Sequence, residues 1–118
     1  MINFTADLEP VPFKRVMSNG KRRFNDHRYS EFKDALGYFA ARAMNGQAPL
    51  TGRIKLHADF FKRRKNPHGK GWGDLDNFLK AVLDALNGIA YVDDVQVIQL
   101  SATKNFGEPK IFITLEEV

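Results

Sequence analysis

The chain has 118 residues, a length that suits one domain with a single core and excludes a second of ordinary size. Hydrophobic residues make up 43% and charged residues 27%, which excludes a disordered polyelectrolyte. There is no cysteine, so disulfide frameworks and thiolate metal sites are excluded, while 18 Lys and Arg against 14 Asp and Glu permit a polyanionic partner without requiring one.

Ile2, Phe4, Ala6 and Leu8 alternate with polar residues, the period of a half-buried strand, until Pro10 and Pro12 stop it. The first residues form no basic segment followed by a long apolar run. No stretch approaches the roughly 18 apolar residues that span a bilayer, so a soluble cytoplasmic protein without membrane contact is expected. From Lys14 to about His27 there is no apolar period; Lys14, Arg15, Lys21, Arg22 and Arg23 surround Ser18-Asn19-Gly20, which predicts a long basic loop.

Tyr29, Phe32, Leu36, Phe39 and Ala43 recur at spacings of three and four and predict a helix that stops near Asn45-Gly46. Ile54, Leu56, Ala58 and Phe60 alternate with Arg53, Lys55, His57 and Asp59, which predicts a second strand. Lys62 to Gly73, with Lys62-Arg63-Arg64-Lys65, His68, Lys70, three glycines and Trp72, predicts a basic surface loop. Leu75, Phe78, Leu79, Val82, Leu83 and Leu86 mark a second helix ending at Asn87-Gly88. Val95, Val97 and Leu100 then predict a strand, Asn105 to Pro109 a turn, and Lys110 to Leu115 a last strand paired with the one before it as a hairpin. The order β-α-β-α-β-β predicts an α+β (α/β) fold: one domain over residues 1–118, with a mixed sheet covered by two main helices.

Positive charge concentrates in Lys14 to Arg28 and Lys62 to Lys70, and Asp74, Asp76, Asp84, Asp93 and Asp94 follow. Asp74-Leu75-Asp76 lies where loop becomes helix, so both carboxylates point away from Leu75 and the core. Asp76, Lys80 and Asp84 fall on one polar stripe of the second helix, and Asp93-Asp94 precedes a strand. Mg²⁺ is a hard cation held by one or two carboxylates together with substrate phosphate oxygens, and Asp74, Asp76 and Asp94 fit that requirement, with Mn²⁺ as a substitute. Such a metal activates water and stabilises a departing oxygen, and Lys80, one turn beyond Asp76, is placed to meet a phosphate oxygen. Spacing alone leaves the bland assignment open: Asp74 as an N-cap, Asp76 and Lys80 as an i,i+4 ion pair, Asp93-Asp94 as a turn.

The run Gly73-Asp74-Leu75-Asp76-Asn77-Phe78-Leu79-Lys80-Ala81-Val82-Leu83-Asp84-Ala85-Leu86, followed by Tyr91-Val92-Asp93-Asp94-Val95-Gln96-Val97, resembles the RusA family of Holliday junction resolvases. The family carries D-L-D-N-x-x-K-x-x-x-D-A-L and then D-D-x-x-V. The resemblance covers about a quarter of the chain closely, and overall length and element order agree with it. It implies a Mg²⁺-dependent homodimeric endonuclease with catalytic carboxylates at Asp74, Asp76 and Asp94 and a functional lysine at Lys80, acting on four-way DNA junctions in recombination and repair. Small resolvases of this kind resemble prophage-borne genes.

Within that expectation Lys14, Arg15, Arg22, Arg23, Lys62, Arg63, Arg64, Lys65 and Lys70 are candidate phosphate contacts, which supply salt-sensitive affinity and little sequence information. Trp72 either stacks on an unpaired base or packs over a core edge, and Phe13 either wedges into a junction or is buried. His27, His57 and His68 share no ligand spacing and receive no catalytic role. Two rival functions remain: a non-catalytic branched-nucleic-acid-binding module using the aspartates structurally, and a metal-dependent phosphohydrolase acting on small phosphates.

Overall fold

The computed structural model describes residues 1–13, 27–63 and 74–118. Its elements are β1 (Ile2–Ala6), α1 (His27–Met44), β2 (Ile54–Lys62), α2 (Leu75–Leu86), a 3₁₀ turn (Asp94–Gln96), β3 (Val97–Phe106) and β4 (Lys110–Glu117). The order is the expected one, and the fold is mixed α+β.

The four strands form one sheet in the order β1-β4-β2-β3, with β4 antiparallel to both its neighbours and β2 parallel to β3. Alternation decides which face each strand buries. Leu56, Ala58 and Phe60 of β2 lie level with Leu115, Ile113 and Ile111 of β4, and these six, with Ile54, are buried under the helices. The opposite face is polar beside β3, where His57 is held between Ser101 Oγ (2.6 Å) and Asp59 Oδ1 (2.8 Å), and Thr103 donates to the same Asp59 oxygen.

The expected hairpin between the last two strands does not form. Three residues, Gly107 to Pro109, join β3 to β4, yet β2 lies between them; Phe106 stands level with Lys62, Lys110 stands level with Phe61, and Gly107 N–H donates to Lys62 O at 3.1 Å. The connection therefore arches over the end of β2. Parallel strands need a long crossover, and α2 with its flanking segments provides one from β2 to β3. β3 also begins two residues later than expected: Val95 belongs to the 3₁₀ turn and is 80% exposed. Lys62, expected in a loop, is the last residue of β2.

α1 buries Phe32, Leu36, Gly37, Ala40 and Met44, a line rotated from the predicted stripe, so that Tyr29 and Phe39 are only half-buried. The reason is the neighbouring helix and the turn that follows it: a Cβ at Gly37 would sit 3.5 Å from Ala85 O and 3.0 Å from Ile89 Cδ1, so small residues face the closest approach. α1 stops as expected, with Asn45 at φ 50° and Gly46 at φ 83°. α2 buries Phe78, Ala81, Val82, Ala85 and Leu86. Phe78 meets Phe60 with ring centroids 5.3 Å apart near the finish of β2, and beyond the other end of α2 Leu50 N–H donates to Ala90 O at 2.9 Å. α2 thus runs antiparallel to β2 and β3.

Phe78→Ala empties the centre of this packing and is expected to destabilise the protein by about 3–5 kcal/mol, the usual range for a buried Phe. Urea denaturation followed by circular dichroism measures it.

Candidate active site

Asp74 is the N-cap of α2, with extended backbone, an exposed side chain and no side-chain hydrogen bond to the helix. Asp76 lies in the first turn and is exposed as well. Anions are favoured at this end of a helix, where the unpaired N–H groups carry partial positive charge. Lys80, one turn on, forms no ion pair with Asp76 among the described residues; its ammonium sits 4.7 Å from the centre of the Phe13 ring. Phe13 in turn packs edge-on against Tyr29 at 5.6 Å and donates its N–H to Asn77 O at 2.9 Å. These contacts leave Phe13 half-buried.

Asp94 lies at the other end of α2. Its N–H donates to Oδ1 of Asn87, the C-cap, at 2.9 Å. The adjacent Asp93 caps the 3₁₀ turn, accepting from Val95 N–H at 3.1 Å. Burial pushes the Asp94 carboxyl above its ordinary 3.8, aided by its hydrogen bond with Asp93 and by the charges of Asp93 and Asp84, while Asn87 pulls it back. Asp84 accepts a 2.7 Å hydrogen bond from Tyr29 Oη. Tyr91, whose ring is fully buried, donates to Leu83 O at 2.8 Å. Burial first, then the charges of Asp94, Asp84 and Asp93, raise the Tyr91 hydroxyl.

The acidic residues are therefore two groups and not one. The 12 residues of α2 rise about 1.5 Å each, so Asp74 and Asp76 are separated from Asp94 by roughly 18 Å along the helix. Among the described residues no three acidic or histidine side chains lie close enough to hold a metal ion. Asp94 thus does not join Asp74 and Asp76 in one cluster.

Gln96 is the structural residue that spacing did not single out. Its Nε2 donates to Leu50 O (2.8 Å) and Gly52 O (2.9 Å), and its Oε1 accepts from the N–H groups of Val92 and Asp93, both at 2.9 Å. This pins the acidic turn to the segment before β2. The signal was present as Asp93-x-x-Gln96, the spacing of a capping box.

Of the basic candidates, Lys62 has its ammonium 5.9 Å from the Phe78 ring centre and 3.9 Å from Glu9 Oε1, with a side chain 16% exposed. Arg63 is exposed and pairs with Glu108. Lys14, Arg15, Arg22, Arg23, Arg64, Lys65, Lys70 and Trp72 lie outside the described residues.

The profile of the endodeoxyribonuclease RusA family matches residues 7–116. The chain belongs to that family. It is also 28% identical, over 99% of its length and 96% of the relative's, to the uncharacterized protein YqaN of Bacillus subtilis (strain 168).

Two outcomes follow from this geometry. Asp94→Asn keeps the shape of the side chain and removes its repulsion with Asp93 and Asp84. Between the ordinary carboxylate value and the raised one, the folded chain keeps a proton that the unfolded chain has released, so stability falls as pH rises through that window. The substitution is expected to raise the melting temperature by a few degrees at neutral pH, with the gain vanishing in acid; thermal scans from acid to neutral pH test this. Gln96→Ala strands two carbonyls and two N–H groups and is expected to cost about 1–3 kcal/mol, read from urea titration.

Proposed function

We propose that this chain is a Mg²⁺-dependent, structure-specific endodeoxyribonuclease that resolves four-way DNA junctions by paired symmetric nicks. The observation that carries this is the family match across residues 7–116, which spans both the Asp74-Leu75-Asp76-Asn77-x-x-Lys80 run and the Asp93-Asp94 turn. Asp74, Asp76 and Asp94 are the proposed metal-binding and catalytic carboxylates. Lys80 is the proposed phosphate-contacting group, close enough to Asp76 on the same stripe to serve the same scissile bond. Mg²⁺, with Mn²⁺ as a substitute, suits an all-oxygen donor set.

Phosphate-backbone contacts are assigned to Lys14, Arg15, Arg22, Arg23, Lys62, Arg63, Arg64, Lys65 and Lys70, in keeping with a formal net charge of +4. Lys62 is the weakest of these, because its side chain is committed to Phe78 and Glu9. The enzyme acts as a homodimer, since a two-fold enzyme matches a substrate that must be cut at two symmetric positions. Its setting is cytoplasmic recombination and repair, on chromosomal or prophage DNA. No helix among the described residues is long and apolar enough to cross a membrane.

The separation of Asp74 and Asp76 from Asp94 within one chain favours a second reading, a junction-binding module without catalysis. A labelled four-way junction and a matched linear duplex, incubated with Mg²⁺ or with EDTA, separate the two. The expected result is paired symmetric nicks in the junction alone, dependent on the metal and reduced at least about 100-fold by Asp76→Asn, the scale of removing a charge-stabilising group, with junction binding kept. Binding without cleavage in either Mg²⁺ or Mn²⁺ would sink the nuclease reading in favour of the module.

A further inference from the structure

Lys80 stands on the outer stripe of α2 with an exposed side chain, one turn from Asp76 on one side and one turn from Asp84 on the other. Either aspartate has the spacing of an ion-pair partner on a helix. Neither pair forms among the described residues. The ammonium lies instead 4.7 Å from the centre of the Phe13 ring, within the reach of a cation–π contact.

Phe13 is held at that position in two ways. Its N–H donates to Asn77 O at 2.9 Å, which ties its backbone to the first turn of α2 whatever side chain it carries. Its ring packs edge-on against Tyr29, with centroids 5.6 Å apart and planes at 78°. The Tyr29 hydroxyl in turn donates to Asp84 Oδ2 at 2.7 Å, so the ring that supports Phe13 is itself fastened to α2. Phe13, Tyr29 and Asp84 come from the chain after β1, the start of α1 and the middle of α2, and they converge beside one lysine.

We propose that Phe13 is the positioning residue for Lys80, with Tyr29 and Asp84 as the brace behind it. Lysine carries a compact, strongly hydrated charge on a flexible four-carbon stem. Beside Asp76 and Asp84, an unguided ammonium would collapse onto a carboxylate. An aromatic face attracts the ammonium without neutralising it, so Lys80 keeps its net charge and its N–H donors for a phosphate oxygen. The hydroxyl of Tyr29 occupies Asp84 at the same time and removes one competitor. Phe13 touches neither phosphate nor metal in this role and acts through Lys80.

The inference rests on the nuclease reading, because that reading is what gives Lys80 a phosphate to meet. Its test compares Phe13→Leu, Phe13→Tyr, Tyr29→Phe and Lys80→Ala in the whole protein, and repeats Phe13→Leu and Tyr29→Phe in the Lys80→Ala background. Leucine keeps an apolar side chain and the backbone bond to Asn77 while removing the aromatic face; tyrosine keeps that face. Cleavage of a pre-bound four-way junction in Mg²⁺ is followed in a single turnover, and junction affinity is measured separately in EDTA. Nuclear magnetic resonance reads the ε-methylene protons of Lys80, which an aromatic face shifts upfield.

The expected result is that Phe13→Leu slows the cleavage step about 10- to 100-fold, the scale of displacing a reacting group by about 1 Å, with junction affinity unchanged. Phe13→Tyr restores the rate, and Tyr29→Phe gives a smaller loss in the same step. In the Lys80→Ala background neither Phe13→Leu nor Tyr29→Phe costs anything further, since the group they position is gone. The upfield shift is present in wild type and Phe13→Tyr and lost in Phe13→Leu.

Equal slowing with and without Lys80, or a Lys80 signal that Phe13→Leu leaves in place, would overturn the positioning role and leave the nuclease reading standing. Should Phe13→Leu fail to fold, Tyr29→Phe in the two backgrounds and the wild-type Lys80 signal decide by the same criteria. A wild type that cleaves no junction would overturn the nuclease reading itself, and Lys80→Ala as fast as wild type would overturn its assignment of Lys80; the inference falls with either.

Discussion

Phe60 of β2 and Phe78 of α2 meet with their ring centroids 5.3 Å apart, at the end of the sheet where β2 and β3 finish, and this contact sets the direction in which α2 runs back across the strands. From there Ala81, Val82, Ala85 and Leu86 carry the burial along one stripe of the helix. The chain leaving α2 is received at the far end by backbone hydrogen bonds between Leu50 and both Ala90 and Val92. A buried aromatic pair at one end and a backbone clasp at the other leave the helix little freedom to slide or turn. Everything polar on its outer face is therefore placed by apolar packing on its inner face.

That placement has an electrostatic cost at one end. Asp74 and Asp76 occupy the helix terminus that favours anions, whereas Asp84, Asp93 and Asp94 gather at the terminus that disfavours them. The fold softens the conflict with neutral donors: Tyr29 gives its hydroxyl hydrogen to Asp84, Asn87 orients the Asp94 backbone, and the N–H groups of the turn are taken up by Gln96 and Asp93. The Asp94 carboxyl remains above its ordinary value despite these contacts.

The sheet order has consequences of its own. Because β2 takes β4 on one side and β3 on the other, β3 becomes an edge. Had β3 and β4 formed a hairpin, the strand that follows the acidic turn would lie inside the sheet. The arch at Gly107 to Pro109 over the end of β2 thus goes with the observed strand order and leaves β3 at the edge.

The sequence alone determined the elements, their order and the family. Alternation and three-to-four spacing are local properties, and so are the stops at Asn45-Gly46 and Asn87-Gly88, so each segment could be recognised without its neighbours. The Asp-Leu-Asp-Asn-x-x-Lys run and the Asp93-Asp94 pair were legible for the same reason. Which strands would pair, which residues of α1 would face α2, that Val95 would leave the strand and that Lys62 would join one were not legible. Those outcomes depend on contacts between residues far apart in the chain: β2 competing successfully for both β3 and β4, Ile89 pressing on Gly37, Gln96 reaching back to Leu50 and Gly52. Only the tertiary structure revealed that aspartates some twenty residues apart stand at opposite ends of one helix, because the length and direction of a packed helix, and not the distance along the chain, decide which side chains can meet.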